Sequence, residues 1–397
     1  MSQTFDPLTY ALQGSIAKRI NRRKRRVVFL VHAPETFTAI EGVIAELQRR
    51  ADRFELIFFA VPRNYTGKAG PCEGADVTRA FLAGKGLEAM ELAGDKAEDL
   101  LELIRLAPDF LFRQSPWEHH LPKYFNSAFL AFANLCYVPY GLAAVEEPRR
   151  QYNQAFHNAC ELIFCETEFH LGEFRRHRRH GTRGVHLTGH PRFEALLGVI
   201  ESGARSWPVA GAGDLPRVIW APHHTITRDW LGYSTFLTFK DAMLAEARRG
   251  RLSLLFRPHP ALEEKLVVNQ AMSAADYQAY QAAFDATGTS GTDRNLEYLG
   301  TFAASDAMIT DGLGFLAEYQ LAGKPLFRTV RADSAPLNEF NRLLVAGLPA
   351  VSTVPELTQL LDALAARQSF PPPPQAHLLR EVCRGASRRI ADVLEQF

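Results

Sequence analysis

The sequence predicts two α/β domains built on parallel sheets, and three observations carry that prediction. The chain of 397 residues is too long for one ordinary domain, and 47% hydrophobic residues supply enough apolar side chains for two cores. From Val27 onward, apolar runs of strand length alternate with stretches of helical period, which is the sequence form of parallel layering. The alternation stops at ESGARSWPVAGAGDLP, Glu201 to Pro216, a Gly-, Ala- and Pro-rich segment without period that reads as a linker, and then restarts. The organisation expected is a basic lead-in over 1–26, a first domain over 27–205 and a second over 206–397 with a terminal helix.

In the first half, VVFLVHA (Val27 to Ala33) reads as a buried strand and Thr36 to Arg50 as the helix returning along its sheet. FELIFFAVP (Phe54 to Pro62), DFLFRQ (Asp109 to Gln114), LCYVPYG (Leu135 to Gly141), ELIFCET (Glu161 to Thr167) and VHLTG (Val185 to Gly189) continue the series. Helices are expected near Asp76 to Leu82, Asp95 to Leu106 and from Pro191. The second half repeats the pattern with RVIWAPHH (Arg217 to His224), LSLLFRPHP (Leu252 to Pro260), DAMITD (Asp306 to Asp311) and KPLFRTV (Lys324 to Val330). The proline run Pro371 to Pro374 stiffens the entry to a last helix.

Charge excludes one class of partner. The 45 Lys and Arg nearly balance 44 Asp and Glu, so no global field points to nucleic acid. Five scattered cysteines without CxxC or zinc spacing fit a reduced cytoplasmic protein. No apolar run approaches the roughly 20 residues that cross a bilayer. The local run Lys18, Arg19, Arg22, Arg23, Lys24, Arg25 and Arg26 suits either an anionic surface at the inner face of the cell membrane or a solvated lead-in to the first strand.

The chemistry is expected beyond the carboxyl ends of strands, where loops converge and helix N-termini point inward. His223, His224 and Thr225 follow one strand of the second half, Arg257 and His259 close another, and Thr310, Asp311, Gly312 and Gly314 close a third. The two glycines let backbone N–H groups approach a phosphate at a helix start, and Glu318, two turns after Asp311, faces the same way for a ribose. RPHP is held extended by its prolines, so Arg257 and His259 point to one side as a cation pair for a diphosphate. His223 and His224 are adjacent in an extended segment, so their rings are expected to point opposite ways and not to share a metal. In RQSPWEHHLP, Glu118 is placed to orient His119 or His120 as a general base, with a polar loop as the alternative. His170, His177, His180, His186 and His190 lie among arginines and read as a basic helix face and its exit loop.

Taken together, the pieces WAPHHT, FRPHP, SDAMITDGLGFLAEYQLAGKP and LTGHPRFEAL resemble the CDP-glycerol glycerophosphotransferase family, the teichoic acid polymerase-like enzymes, over roughly Cys136 to Leu364. The resemblance implies a GT-B fold: two Rossmann-like domains whose parallel sheets face a central cleft, with a CDP-linked donor in the C-terminal domain. It also implies transfer of a polyol phosphate to an acceptor hydroxyl in cell-surface polymer synthesis. His259 then falls on the donor pyrophosphate, Thr310 and Asp311 at the donor phosphate loop, and Glu318 at an acidic position of the following helix. Two positions differ. The family's paired serines are Leu313 and Gly314 here, and its WHG motif, whose histidine is the expected base, falls on Pro139, Tyr140 and Gly141.

The function expected is therefore a transferase moving glycerol phosphate or a related polyol phosphate from a CDP-linked donor to a glycan or lipid-linked acceptor. The acceptor side is assigned to His32, Arg113, Glu118, His119, His120 and Tyr140, and neither cofactor nor metal is called for, since no DxD motif stands at a strand end. A GT-B glycosyltransferase of capsule or O-antigen assembly, using a nucleotide sugar, is the alternative on the same fold. A sugar-nucleotide epimerase and a noncatalytic nucleotide-binding module are the alternatives from other classes.

Overall fold

The computed structural model describes residues 7–21, 24–64, 72–228 and 231–397. Among them, seven strands form one sheet: β1 (Arg25–Val31), β2 (Phe54–Ala60), β3 (Ala89–Glu91), β4 (Phe110–Arg113), β5 (Asn134–Tyr137), β6 (Leu162–Cys165) and β7 (Val185–Leu187), in the order β3-β2-β1-β4-β5-β6-β7. Six form another: β8 (Arg217–Ala221), β9 (Ser253–Phe256), β10 (Gly291–Thr292), β11 (Ala307–Thr310), β12 (Leu326–Thr329) and β13 (Ala350–Val351), in the order β10-β9-β8-β11-β12-β13. All their pairings are parallel. All the strands expected from apolar runs are present. The three missed, β3, β10 and β13, are edge strands of two or three residues, too short to show an apolar run.

The inner strands are mostly apolar, as in Val27–Val31 and Leu162–Cys165, because each sheet is covered on both faces. In β1, Val27, Phe29 and Val31 enter one core, while Val28 and Leu30 enter the core on the opposite face. Phe29 stacks on Phe58 at 5.3 Å and on Phe112 at 4.9 Å, so an aromatic row runs across β2, β1 and β4. In the second sheet Trp220 and Phe256 stack at 4.9 Å within the core shared by Val218, Leu254, Ile309 and Phe327. Strand order reverses direction between β1 and β4, and again between β8 and β11. Such switch points open a crevice at the carboxyl ends of the strands.

The chain divides into two compact units, Met1–Ala143 with Glu147–Glu194 and Val382–Phe397, and Ala144–Glu146 with Ala195–Glu381. The helix Ala386–Gln396, expected with the second domain, belongs to the first unit. Its apolar stripe explains why: Ile390, Ala391 and Leu394 complete the core that holds Phe29. Arg50 pairs with Asp392 at 2.5 Å and with Glu395 at 2.7 Å, and Arg25 donates to the backbone carbonyls of Leu394 and Glu395 at the helix's end.

The basic lead-in is largely structural for the same reason. Lys18 donates to the carbonyl of Arg105 at 3.0 Å, Arg19 to that of Pro108 at 3.5 Å, and Arg26 forks onto Glu55 at 3.0 and 3.1 Å. Lys24 is exposed, and Arg22 and Arg23 lie outside the described residues. The helix Pro7–Asn21 rests on Ala97–Leu106 through Ala11, Leu12, Leu100 and Ile104. No helix among the described residues is long and apolar enough to cross a membrane.

Candidate functional site

The second unit brings its three polar strand ends together because β9, β8 and β11 are neighbours in the sheet. The ring of His224 lies 4.3 Å from that of His223 and 4.0 Å from that of His259, and His223 is 5.5 Å from His259. The two adjacent histidines therefore do not diverge as expected: β8 ends at Ala221 and the chain bends at His224, so the alternation of a strand no longer applies. His223 shares a hydrogen bond of 2.8 Å between Nδ1 and Thr225 Oγ1, and His259 Nδ1 accepts the Ala261 N–H at 3.1 Å. His224 Nδ1 is buried without a partner.

His223 and His224 are held neutral. Burial lowers His223 and His224 well below the ordinary histidine range, and the neighbouring imidazoles, His259 first, push the same way. Lys265 adds to this at His224. Among the described residues no group of three or more His, Cys, Asp or Glu is arranged to hold a metal ion.

Asp311 does not face a ligand but builds the cluster from beneath. It is buried and accepts the backbone N–H of His223, together with the N–H and hydroxyl of Thr235 at 2.6 Å each. Burial pushes its carboxyl up to about 6, against the hydrogen bonds that favour the charged form. Thr310 is likewise committed: its hydroxyl donates to the Ala221 carbonyl at 2.6 Å and accepts the Gly312 N–H at 2.8 Å. The Gly312 N–H is thus spent inside the turn, which leaves Leu313, Gly314 and Phe315 as the first-turn donors of the helix Leu313–Glu318. A side chain at Gly312 would crowd Thr310 Oγ1 at 3.1 Å.

Arg257 parts from His259. Since β9 ends at Phe256, the two side chains are not held on one face of a strand. The guanidinium pairs with fully buried Asp293, donates to the Asn295 carbonyl at 3.1 Å and stacks 4.6 Å over the ring of Tyr298. Tyr298 in turn donates its phenol to Glu318 Oε2 at 2.5 Å. Glu318 is thereby a buried, oriented carboxylate rather than part of a solvated face. Thr235, Asp293 and Tyr298 escaped sequence reasoning, because none stands at the end of a long strand and each acts through a partner far along the chain.

In the first unit, the switch point between β1 and β4 is clamped by Gln114. Its Oε1 accepts the N–H groups of His32 and Ala33 at 2.8 and 2.9 Å, and its Nε2 donates to the Ala33 carbonyl at 3.0 Å. The His32 ring is 1% exposed, and neither ring nitrogen has a partner. Burial, then Arg113, Arg63 and His120, lower its pKa well below the ordinary range.

Arg113 and Glu118 are structural, not acceptor-facing. The Arg113 side chain is fully buried, lies 3.8 Å over the Phe156 ring, and donates to Glu118 at 2.8 Å and to the carbonyls of Ser115 and Phe125. Glu118 spends its oxygens on Arg113 and on the N–H and hydroxyl of Ser127, so it does not orient a histidine. His119 and His120 pack their rings at 4.3 Å, each 6.3 Å from Trp117, and His119 is exposed. Trp117 Nε1 donates to the Tyr140 hydroxyl at 3.2 Å, and burial raises the Tyr140 pKa above the ordinary phenol value. His170 and His190, expected on a basic surface, are buried instead: the first pairs with Thr167 at 2.7 Å and the second with the Pro139 carbonyl at 2.8 Å.

Glu166, which no motif marks, stands just past β6 and is 3% exposed. Burial pushes its carboxyl from the ordinary value near 4.5 up to about 8.

No family model matches the sequence, and no curated protein matches it. Solved structures do. The UDP-GlcNAc 2-epimerase of Methanocaldococcus jannaschii aligns with TM-score 0.59 and 13% identity over 94% of this chain and 100% of that one. The UDP-GlcNAc 2-epimerase of Neisseria meningitidis, bound to UDP-GlcNAc, aligns with TM-score 0.58 and 14% identity over 94% and 100%. The wall teichoic acid polymerase TagF aligns with TM-score 0.55 and 13% identity over 98% and 93%. Two parallel-sheet α/β domains with these neighbours are of the GT-B fold, and at these identities the likeness shows the fold alone.

Proposed function

We propose that this chain is a transferase that moves glycerol phosphate or a related polyol phosphate from a CDP-linked donor to a hydroxyl of a cell-surface glycan or lipid-linked acceptor. One observation carries the reading: at the second unit's switch point three imidazoles, His223, His224 and His259, meet in one cluster. The imidazoles of His223 and His224, held neutral by burial, gain protons and hydrogen bonds when a diphosphate binds, and with His259 they stabilise the charge that grows as the donor bond breaks. The N–H groups of Leu313 and Gly314 complete the phosphate contact, and Glu318, oriented by Tyr298, accepts a ribose hydroxyl. The acceptor belongs to the first unit, near His32, His119, His120 and Tyr140. A lipid-linked acceptor fits the exposed Ile16 and Ile20 on the helix beside Lys24, as a peripheral contact with an anionic membrane.

The neighbours that are UDP-GlcNAc 2-epimerases favour a second reading, nucleotide-sugar chemistry at the same site, either as a glycosyltransferase or as an epimerase. A thermal-shift screen against CDP, CMP, UDP, GDP, CDP-glycerol and UDP-GlcNAc separates them, because a ligand of the folded state raises stability with log concentration. CDP and CDP-glycerol are expected to stabilise most. A preference for UDP and UDP-GlcNAc would replace the polyol-phosphate reading with the second one.

A further inference from the structure

A diphosphate brings negative charge, and two arginines near the strand ends of the second unit are already committed. Arg257 pairs with buried Asp293, and Arg331 forks onto Asp333 at 2.9 and 2.7 Å while donating to the carbonyls of Ile226 and Ser234. Arg328 is different. It stands in β12 and is partly exposed, and among the described residues its guanidinium makes neither an ion pair nor a hydrogen bond. Its Nε is buried without a partner. A buried guanidinium N–H without an acceptor is costly unless a ligand supplies one.

Strand register sets this arginine beside the site. Arg328 pairs with Thr310 across β12 and β11, and Thr310 pairs with Ala221 across β11 and β8, so the three form one row at the carboxyl ends. Phe327, Ile309 and Trp220, one residue earlier in each strand, all enter the core that holds Val218 and Leu254. The pleat therefore sends Arg328 and Thr310 together to the opposite face. There the Thr310 hydroxyl accepts the Gly312 N–H at 2.8 Å, where the helix Leu313–Glu318 begins. Neighbouring strands lie about 4.8 Å apart, a distance that an extended arginine side chain exceeds. Arg328 is thus within reach of the space in front of that helix's first turn. Tyr233 joins the two sides of this space: its ring lies 6.1 Å from that of His223, and its phenol feels the Arg328 charge.

We propose that Arg328 is the fixed cation of the donor site, a guanidinium that forks onto the diphosphate of a nucleoside-diphosphate-linked donor held at the start of the helix Leu313–Glu318. The inference rests on the nucleotide-donor reading and deepens it by naming the residue that meets the diphosphate charge. A guanidinium stays protonated at every working pH, and its planar fork matches two phosphate oxygens at once. His223 and His224 must gain protons to do the same. Arg328 supplies the part of the attraction that needs none.

The test measures binding of CDP-glycerol and UDP-GlcNAc to the full chain by calorimetry, at low and at physiological salt. Arg328→Gln is expected to weaken whichever donor binds by about 10- to 100-fold and to flatten the loss of affinity with salt, at a melting temperature close to the parent's. Arg328→Lys keeps the charge and loses the fork, so it is expected to recover part of the affinity and of the salt dependence. Affinity of Arg328→Gln within about threefold of the parent, with the same salt dependence, would overturn the proposal and leave the nucleotide-donor reading standing. Equal loss in both variants with a lowered melting temperature would also overturn it, since that is what a structural role produces. Failure of the parent protein to bind either donor would remove both.

Discussion

The two units end their strands in opposite ways. At the β8/β11 switch point of the second unit the polar groups engage one another: three imidazoles touch, Asp311 holds their backbone, and Arg257, Tyr298 and Glu318 form a chain of contacts behind them. At the strand ends of the first unit the arginine and glutamate neutralise each other, while the His32 ring nitrogens and the Tyr152 hydroxyl are buried without a hydrogen-bond partner. A surface of preassembled donors suits a ligand that arrives charged, since its alignment cost is met during folding. Isolated neutral groups suit a ligand that arrives neutral and must lose a proton. On the transferase reading proposed above, the contrast would put phosphate chemistry in the second unit and hydroxyl chemistry in the first.

The sharpest way to break this contrast is His259→Ala. The side chain is exposed, so the melting temperature is expected to change little, while turnover falls by about 10²- to 10³-fold. Turnover that survives would strip the trio of its role and leave the second unit with structure alone.

Asp311→Ala comes next in size. It strands the buried N–H groups of His223 and Thr235 and the hydroxyl of Thr235, and should cost about 2 to 3 kcal/mol in urea unfolding, with weaker CDP-glycerol binding as His223 shifts. Unchanged stability would mean that the cluster is not supported from beneath.

The smallest effect concerns pH. His223 and His224 are lowered in the free protein, and a bound diphosphate favours their protonated forms, so binding takes up protons and affinity falls as pH rises. CDP-glycerol is the suitable probe, because its capped diphosphate keeps its charge across the range. Calorimetry is expected to show affinity on the order of tenfold weaker at pH 8 than at pH 6, with proton uptake. A flat profile would show that the imidazoles act only as neutral donors.

How far the sequence reached follows from the range of each interaction. The long strands are readable because their apolar runs are contiguous, as in VVFLV, whereas Ala350–Val351 is a strand only because β12 lies beside it. The histidines of the site were found because three strand ends share a chemistry, and the strand order then made them neighbours. What Arg257 touches was not readable, since Asp293 is 36 residues away and the claim on its guanidinium is tertiary. The helix Ala386–Gln396 was read correctly as a helix and assigned to the wrong unit, because an amphipathic stripe says that a partner exists without saying which. Glu166 shows the limit: its surroundings are a product of the fold, and a single glutamate after an apolar run carries no local mark.

The pairing of Arg25 with the carbonyl of Leu394 spans 369 residues and bears on how the protein is made. At about 5 to 20 residues per second, the ribosome delivers residues 386–396 roughly 20 to 75 s after β1 has emerged. Until then the Phe29 core, already covered in part by Ile40, Val43, Ile44 and Leu47, lacks Ile390, Ala391 and Leu394, so the unit synthesised first is completed last. Nascent chains should depend on chaperone cover through that interval, and slowing translation should lower the yield of folded protein rather than raise it.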